Sequence, residues 1–258
     1  MSKPKNLSQF STLVNIIAKL RAPDGCPWDR KQTHASLREN LLEECYEVLA
    51  ALDEEDSAKL SDELGDLLMQ IVLHAQIATE AGEFELGDVI KSINAKLIHR
   101  HPHIFGLQKV KDAEEVAHNW EVLKGEERES GVSILESVPK QMPALGYSQE
   151  IQRRVAQLGF DWKDVDDIFG KLAEEVREFK KAETKEQKAK EFGDLLFTLV
   201  NIARRLGVDL EAALREANRR FYKRFSYMEK VCRKRGVNFG QLSFDEQNAL
   251  WEEAKKKV

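Results

Sequence analysis

Proline is scarce in this chain. Its 258 residues include six, Pro4, Pro23, Pro27, Pro102, Pro139 and Pro143. None falls between Trp28 and His101 and none follows Pro143, so nothing in those long stretches forces a helix to break. Cysteine is scarcer still. Cys26, Cys45 and Cys232 are odd in number and form no CxxC pair, which excludes a disulfide framework and points to a reducing, cytoplasmic setting. No run approaches the roughly 20 uncharged apolar residues of a membrane span. The opening MSKPKNLSQF has no apolar signal core, so no membrane partner is expected. Neither sign of charge dominates: 40 Lys and Arg face 45 Asp and Glu, for a formal net charge of -5. That balance argues against a general nucleic-acid coat, and no nucleic-acid partner is expected. A GxxxxGK[ST] loop is absent, so phosphate recognition of the P-loop kind is excluded. Spacing supports no Ser-His-Asp or Cys-His arrangement.

What is present is helical periodicity. Leu41, Leu42, Cys45, Val48, Leu49 and Leu52 follow an i, i+3, i+4, i+7 pattern, as do Leu60, Leu64, Leu67, Leu68, Ile71 and Ala75, and later Phe192, Leu195, Leu196, Leu199 and Ile202. No segment alternates apolar and polar residues convincingly, so the expected class is all-α. Helices are predicted near 7–20, 35–53, 58–81, 87–100, 112–128, 145–157, 167–182, 186–205, 209–234 and 243–257. The stretch GEERESGVSILESVPKQMP, with two prolines, glycine and a charge run, is a connector. The predicted organisation is therefore an N-terminal unit at 1–128, a linker at 129–143 and a C-terminal unit at 144–258.

The two units repeat each other. LLEECYEVL followed by DELGDLLMQ is matched by LAEEVREFK followed by KEFGDLLFTL. Glu43, Glu44, Glu47, Glu63 and Asp66 thus correspond to Glu174, Glu175, Glu178, Glu191 and Asp194. Asn94, Lys96 and Arg100 correspond to Asn218, Arg220 and Arg224, and Trp120 and Lys124 to Trp251 and Lys255. Trp28 in CPWD and Trp162 in FDWK precede the two acidic helices. Five carboxylates, an Asn with two cations and a Trp–Lys pair recurring in one order point to duplication.

On a wheel of about 100° per residue, Glu44 and Glu47 lie on one edge of the apolar stripe, as do Glu63 and Asp66 on the next helix. Glu175, Glu178, Glu191 and Asp194 take the same angles. If each helix pair forms an antiparallel hairpin, four carboxylates converge and raise one another's pKa unless a cation intervenes. Oxygen-only ligands suit Mg²⁺, or Mn²⁺ in its place, rather than zinc. Mg²⁺ so held commonly awaits phosphate oxygens. Lys96 with Arg100, and Arg220 with Arg224, are i, i+4 neighbours that face one way. Lys124 and Lys255 each lie one turn after a Trp. Trp120 and Trp251 could stack on a base, close a pocket or serve as core. The histidines all lie in the first half, from His34 to His118; His101 and His103 flank Pro102, which fits a helix stop with local packing. A ferritin-like dimetal oxidase would need Glu-x-x-His, which these helices lack. A non-catalytic helical interaction module, using the basic stretch Arg219 to Arg235, is the alternative.

These residues resemble the MazG family of nucleoside triphosphate pyrophosphohydrolases. The signature EExxE followed by ExxD stands here as Glu43-Glu44-x-x-Glu47 with Glu63-x-x-Asp66, and again as Glu174-Glu175-x-x-Glu178 with Glu191-x-x-Asp194. GCPWD, QTH, DELGDLL, KLIHRHPHIFG and GFDW are similar to phrases of the two-domain bacterial members, and the similarity spans nearly the whole chain. The resemblance implies two tandem four-helix-type units, a homodimer and Mg²⁺ dependence. It also implies hydrolysis of NTPs and dNTPs to the monophosphate and pyrophosphate, broad in base and serving nucleotide-pool clearance. Carried over by position, Glu175, Glu178, Glu191 and Asp194 would bind metal, as would Glu44, Glu47, Glu63 and Asp66 in the first repeat. Arg220, Arg224 and Lys255 would hold phosphates, with Trp251 near the nucleotide; Asn218, Lys96, Arg100, Trp120 and Lys124 are the further substrate-binding candidates. Glu174 and Glu43, at the outer end of the acidic arc, would orient the attacking water or brace the ligands. The better-known relatives use the C-terminal repeat, yet the first repeat here keeps its whole acidic set. Relatives often carry Lys where Arg220 stands, which exchanges a point charge for a planar fork.

Overall fold

A computed structural model describes residues 6–126 and 131–258. Twelve α-helices are found among them, with no strand. The chain divides into two compact units, Met1–Glu127 and Arg128–Val258.

The first unit holds α1 (Phe10–Arg21), α2 (Pro27–Arg30), α3 (Arg38–Asp53), α4 (Ser57–Ala81), α5 (Leu86–Arg100), α6 (Pro102–Phe105) and α7 (Ala113–Glu126). α3 and α4 pack as a hairpin, α1 packs on α4, and α5 joins α4 to α7. Asp56 turns the hairpin: its Oδ1 accepts from the Ala58 and Lys59 amides at 3.0 Å each, satisfying N–H groups that an α-helix start leaves unpaired. Gly82 closes α4 in the left-handed region, φ +70°, which glycine enters without a Cβ clash. The core gathers Ile17, Leu37, Val72 and Leu73.

The second unit holds α8 (Ala144–Gln157), α9 (Val165–Lys181), α10 (Lys185–Arg205), α11 (Leu210–Arg235) and α12 (Phe244–Lys257), with a 3₁₀ turn at Phe239–Gln241. α9 and α10 form the corresponding hairpin, α8 packs on α10 and α11, and α12 packs on α11. The Thr184 and Gln187 side chains form a capping box that starts α10. Ile168 and Val200 are buried within the unit. Met228, Cys232, Leu250 and Ala254 form a core between α11 and α12.

The predicted helices therefore exist, and α2 and α6 are additions. Each is a single turn opened by a proline at its first position, where a missing N–H costs nothing; four residues are too few to display a period. The predicted end at 128 lies outside the described residues, as do positions 129 and 130 of the connector. From 131 onward that segment packs within the second unit. Val138 is buried, and the Arg154 guanidinium donates to Ser137 Oγ at 2.9 Å and to the Ile134 carbonyl at 3.4 Å.

The apolar stripes differ from expectation in depth. Leu42 and Leu64 on the first hairpin, and Phe192 and Leu196 on the second, remain exposed. A two-helix hairpin covers only the side of each stripe that faces its neighbours. Among the described residues, the other side of each stripe stays exposed within its own unit.

Candidate active site

The hairpins set the carboxylates. An i, i+3 spacing places Glu175 and Glu178 on one face of α9, and α10 brings Glu191 across from them. One carboxylate oxygen from each of these three residues lies within 4.8 Å of the others. The first unit repeats this with Glu44, Glu63 and Asp66. The two triplets are not equivalent by position, because the second uses Glu178 where its repeat counterpart Glu47 is outside the first triplet, and the first uses Asp66 where Asp194 is outside the second. Glu47 still acts on Glu63 through its charge. Asp194 is held by Lys190 at 3.2 Å.

The donors fit a hard divalent cation. Glu175 is only 4% exposed, yet its Oε2 has no hydrogen-bond partner, and neither has the buried Oε2 of Glu191. A buried charged oxygen without a partner is costly, and a coordinating cation would satisfy it. In the first unit the same conflict appears as raised pKa values. Burial, then the charge of Asp66, pushes the Glu44 carboxyl above its usual range, against a hydrogen bond from buried Gln70. Burial, then Glu47, does the same to Glu63.

Two residues that the sequence reading did not single out complete the second group. Lys171 Nζ lies 2.8 Å from both Glu174 and Glu175. Lys190 Nζ lies 2.9 Å from Glu191 as well as reaching Asp194. The carboxylates push both ammonium groups well above the ordinary lysine range, and Lys171 in turn lowers Glu174. The i, i+3 and i, i+4 spacing of Lys171 to Glu174 and Glu175 was the available signal. Glu174 and Glu43 are exposed.

The cation candidates stand on the other helices of each unit. The Arg224 guanidinium sits 5.7 Å from the Trp251 ring, and Phe221 packs on the same indole at 5.4 Å. In the first unit Arg100 lies 5.2 Å from Trp120. The duplication thus extends to an Arg–Trp stack joining α5 to α7 and α11 to α12, within the range of cation–π attraction. Arg220 pairs with Glu216 at 3.2 Å and Lys255 with Glu252 at 2.6 Å. Asn218 is exposed and Lys124 half-buried. Lys96 borders a depression of about 450 Å³ with Phe84, Asp88, Val89, Ser92 and Ile93. His101 is occupied locally: its Nδ1 lies 2.6 Å from the Leu97 carbonyl and its ring meets Trp120 edge-on at 4.9 Å.

Residues 32–105 match the family model of the MazG nucleotide pyrophosphohydrolase domain. A Thermotoga maritima protein named nucleoside triphosphate pyrophosphohydrolase/pyrophosphatase MazG is 45% identical over 248 residues, 95% of each chain. The chain belongs to the MazG family. An Escherichia coli nucleoside triphosphate pyrophosphohydrolase is 39% identical over 97% of this chain and 98% of its own. An uncharacterized Bacillus subtilis protein, YabN, is 47% identical over 96% of this chain but only 52% of its own length. Within this MazG chain the second half is matched by a different model, phosphoribosyl-ATP pyrophosphohydrolase, over residues 149–221. The two matched segments contain the two carboxylate groups. Among the described residues no helix is long and apolar enough to cross a membrane.

Proposed function

We propose that this chain hydrolyses nucleoside triphosphates, ribo and deoxyribo, to the monophosphate and pyrophosphate, with Mg²⁺ as cofactor and Mn²⁺ as a substitute. The observation that carries this reading is the partnerless oxygen of buried Glu175 inside a convergent carboxylate triplet. Two pyrophosphohydrolase family models and the Thermotoga maritima and Escherichia coli relatives named as pyrophosphohydrolases support the reaction class.

Glu175, Glu178, Glu191 and Asp194 would hold the cation in the second repeat, and Glu44, Glu47, Glu63 and Asp66 in the first. Bound there, a divalent cation supplies Lewis-acid polarisation of the α-phosphate and lowers the pKa of a coordinated water. The chain's own residues do the rest. Arg220, Arg224 and Lys255 bind the polyphosphate and offset charge on the departing pyrophosphate, with Lys96, Arg100 and Lys124 as first-repeat counterparts. Asn218 offers a neutral hydrogen-bonding side chain on the same helix as Arg220. Trp251 and Trp120 offer indole faces, and stacking is available to every base, which supports broad base tolerance and a role in clearing aberrant nucleotides in the cytoplasm. Glu174 and Glu43 orient the attacking water or brace the ligands.

Product analysis tests the reaction. With several NTPs and Mg²⁺, monophosphate and pyrophosphate should accumulate in equal amounts; diphosphate and phosphate would refute cleavage at the α–β bond, and no turnover would favour a binding module.

A homodimer accompanies this reading. Leu42, Leu64, Leu68 and Ile71 on the first hairpin and Phe192, Leu196 and Leu199 on the second are all at least 39% exposed, an apolar area that a second hairpin would cover. Light scattering should give twice the 29.6 kDa chain mass; a mass of one chain at micromolar concentration would overturn it.

A further inference from the structure

The two carboxylate groups have the same five acids but opposite surroundings. Counting along the repeat, Lys171 stands three residues before Glu174 as Asn40 stands before Glu43, and Lys190 directly precedes Glu191 as Asp62 precedes Glu63. The second group therefore has two ammonium groups of its own, from half-buried Lys171 and exposed Lys190, where the first has an amide and a further carboxylate.

The contacts follow that difference. Lys171 bridges Glu174 and Glu175, and Lys190 bridges Glu191 and Asp194, all within 3.2 Å. Glu175 is the most buried of these acids, and its Oε1 is taken by Lys171 while its Oε2 is left without a partner. In the first group the lysine nearest in sequence, Lys59, pairs with Glu54 at 3.2 Å and acts on Glu63 and Glu47 only through its charge, with no direct ion pair to them among the described residues.

We propose that Lys171 and Lys190 are built-in counterions that compete with the divalent cation, so that the second group binds it more weakly than the first. The inference rests on the metal-binding reading above. A cation entering the second group must displace ammonium groups from four of its five carboxylates. One entering the first displaces no directly paired ammonium group and meets converging acids that only the more distant charge of Lys59 offsets. Coulombic competition of this kind survives at short range even near a surface, where the effective dielectric is well below that of water. The lysines are thus positioning residues: they hold the carboxylates together in the metal-free chain and set how much cation is needed to load the site. With cation scarce, the first repeat fills and the second remains closed by its own lysines.

The test is Mn²⁺ binding to the full chain without nucleotide, followed by the electron paramagnetic resonance of free Mn²⁺. Glu44→Gln with Glu63→Gln isolates the second group, and Glu175→Gln with Glu191→Gln isolates the first. The first should bind about tenfold more tightly than the second, a difference on the scale expected of a few partly screened charges. Placing first-repeat residues in the second group, Lys171→Asn with Lys190→Asp, should raise its affinity about tenfold in the Glu44→Gln, Glu63→Gln background. The reciprocal Asn40→Lys with Asp62→Lys should lower the affinity of the first group, and circular dichroism checks that each variant stays helical. If either exchange folds and leaves Mn²⁺ affinity unmoved, the counterion role is wrong although the metal site stands. If millimolar Mn²⁺ binds neither group, the metal reading itself fails and takes this inference with it.

Discussion

On the reading that the second repeat carries the turnover, replacing Glu178 with Gln should lower Mg²⁺-dependent pyrophosphate release by about a hundredfold or more, with helix content unchanged. The magnitude is that expected when a charge holding a catalytic cation is lost, because the cation contributes several kcal/mol of transition-state stabilisation. Glu178 is the suitable member of its triplet. Its donor oxygen lies within 4.8 Å of those from Glu175 and Glu191, yet it is the exposed one. The amide keeps the shape of the side chain and removes only its charge, and an exposed substitution of this kind shifts stability by about half a kcal/mol at most. Glu175 would be a poorer probe, since Lys171 depends on it and its burial couples it to the fold. Pyrophosphate release and far-ultraviolet circular dichroism, measured together, check the prediction. Unchanged turnover would mean that the first repeat carries the activity, and Glu44→Gln would then be the variant that loses it.

Leu37→Ala destabilises the chain by about 2–5 kcal/mol, the usual range for truncating a buried leucine. Leu37 is 1% exposed and packs with Ile17 of α1 and Val72 and Leu73 of α4. It also stands immediately before α3 and accepts the first helical hydrogen bond, from the Leu41 amide at 3.0 Å. The cavity therefore opens where the helix carrying Glu43 and Glu44 is anchored. Urea denaturation should show the loss as a lower midpoint with little change in slope. A shift below about 1 kcal/mol would mean that the neighbours collapse into the space and that Leu37 is not the anchor described.

Much of this was legible in the sequence, for identifiable reasons. Long Pro-free stretches with a 3.6-residue period have few alternatives to helix, so the ten long helices could be placed to within a few residues. The hairpin turn at Asp56 and the capping box at Thr184 and Gln187 are local signals, set by side chains two or three residues from the amides they satisfy. The EExxE and ExxD spacing fixes which carboxylates share a helix face, and duplication lifts that pattern above the background of a Glu-rich chain. The Arg–Trp stacks were visible only as recurring residues. Their contact across α5 and α7, and across α11 and α12, needed the helices to be packed.

By itself the sequence determined the all-α class, the duplicated acidic helices and the family, because periodicity, spacing and similarity are properties of the chain alone. Only the tertiary structure decided which three carboxylates of each repeat converge, that Glu175 and Glu191 each keep one oxygen without a partner, and that Lys171 and Lys190 pair directly with the second group while Lys59 pairs with Glu54 and reaches the first only through its charge. Those outcomes depend on how one helix is rotated and shifted against another. A one-dimensional pattern fixes the face a side chain occupies but not the depth at which two faces meet, and burial at that depth is what gives these charges their chemistry.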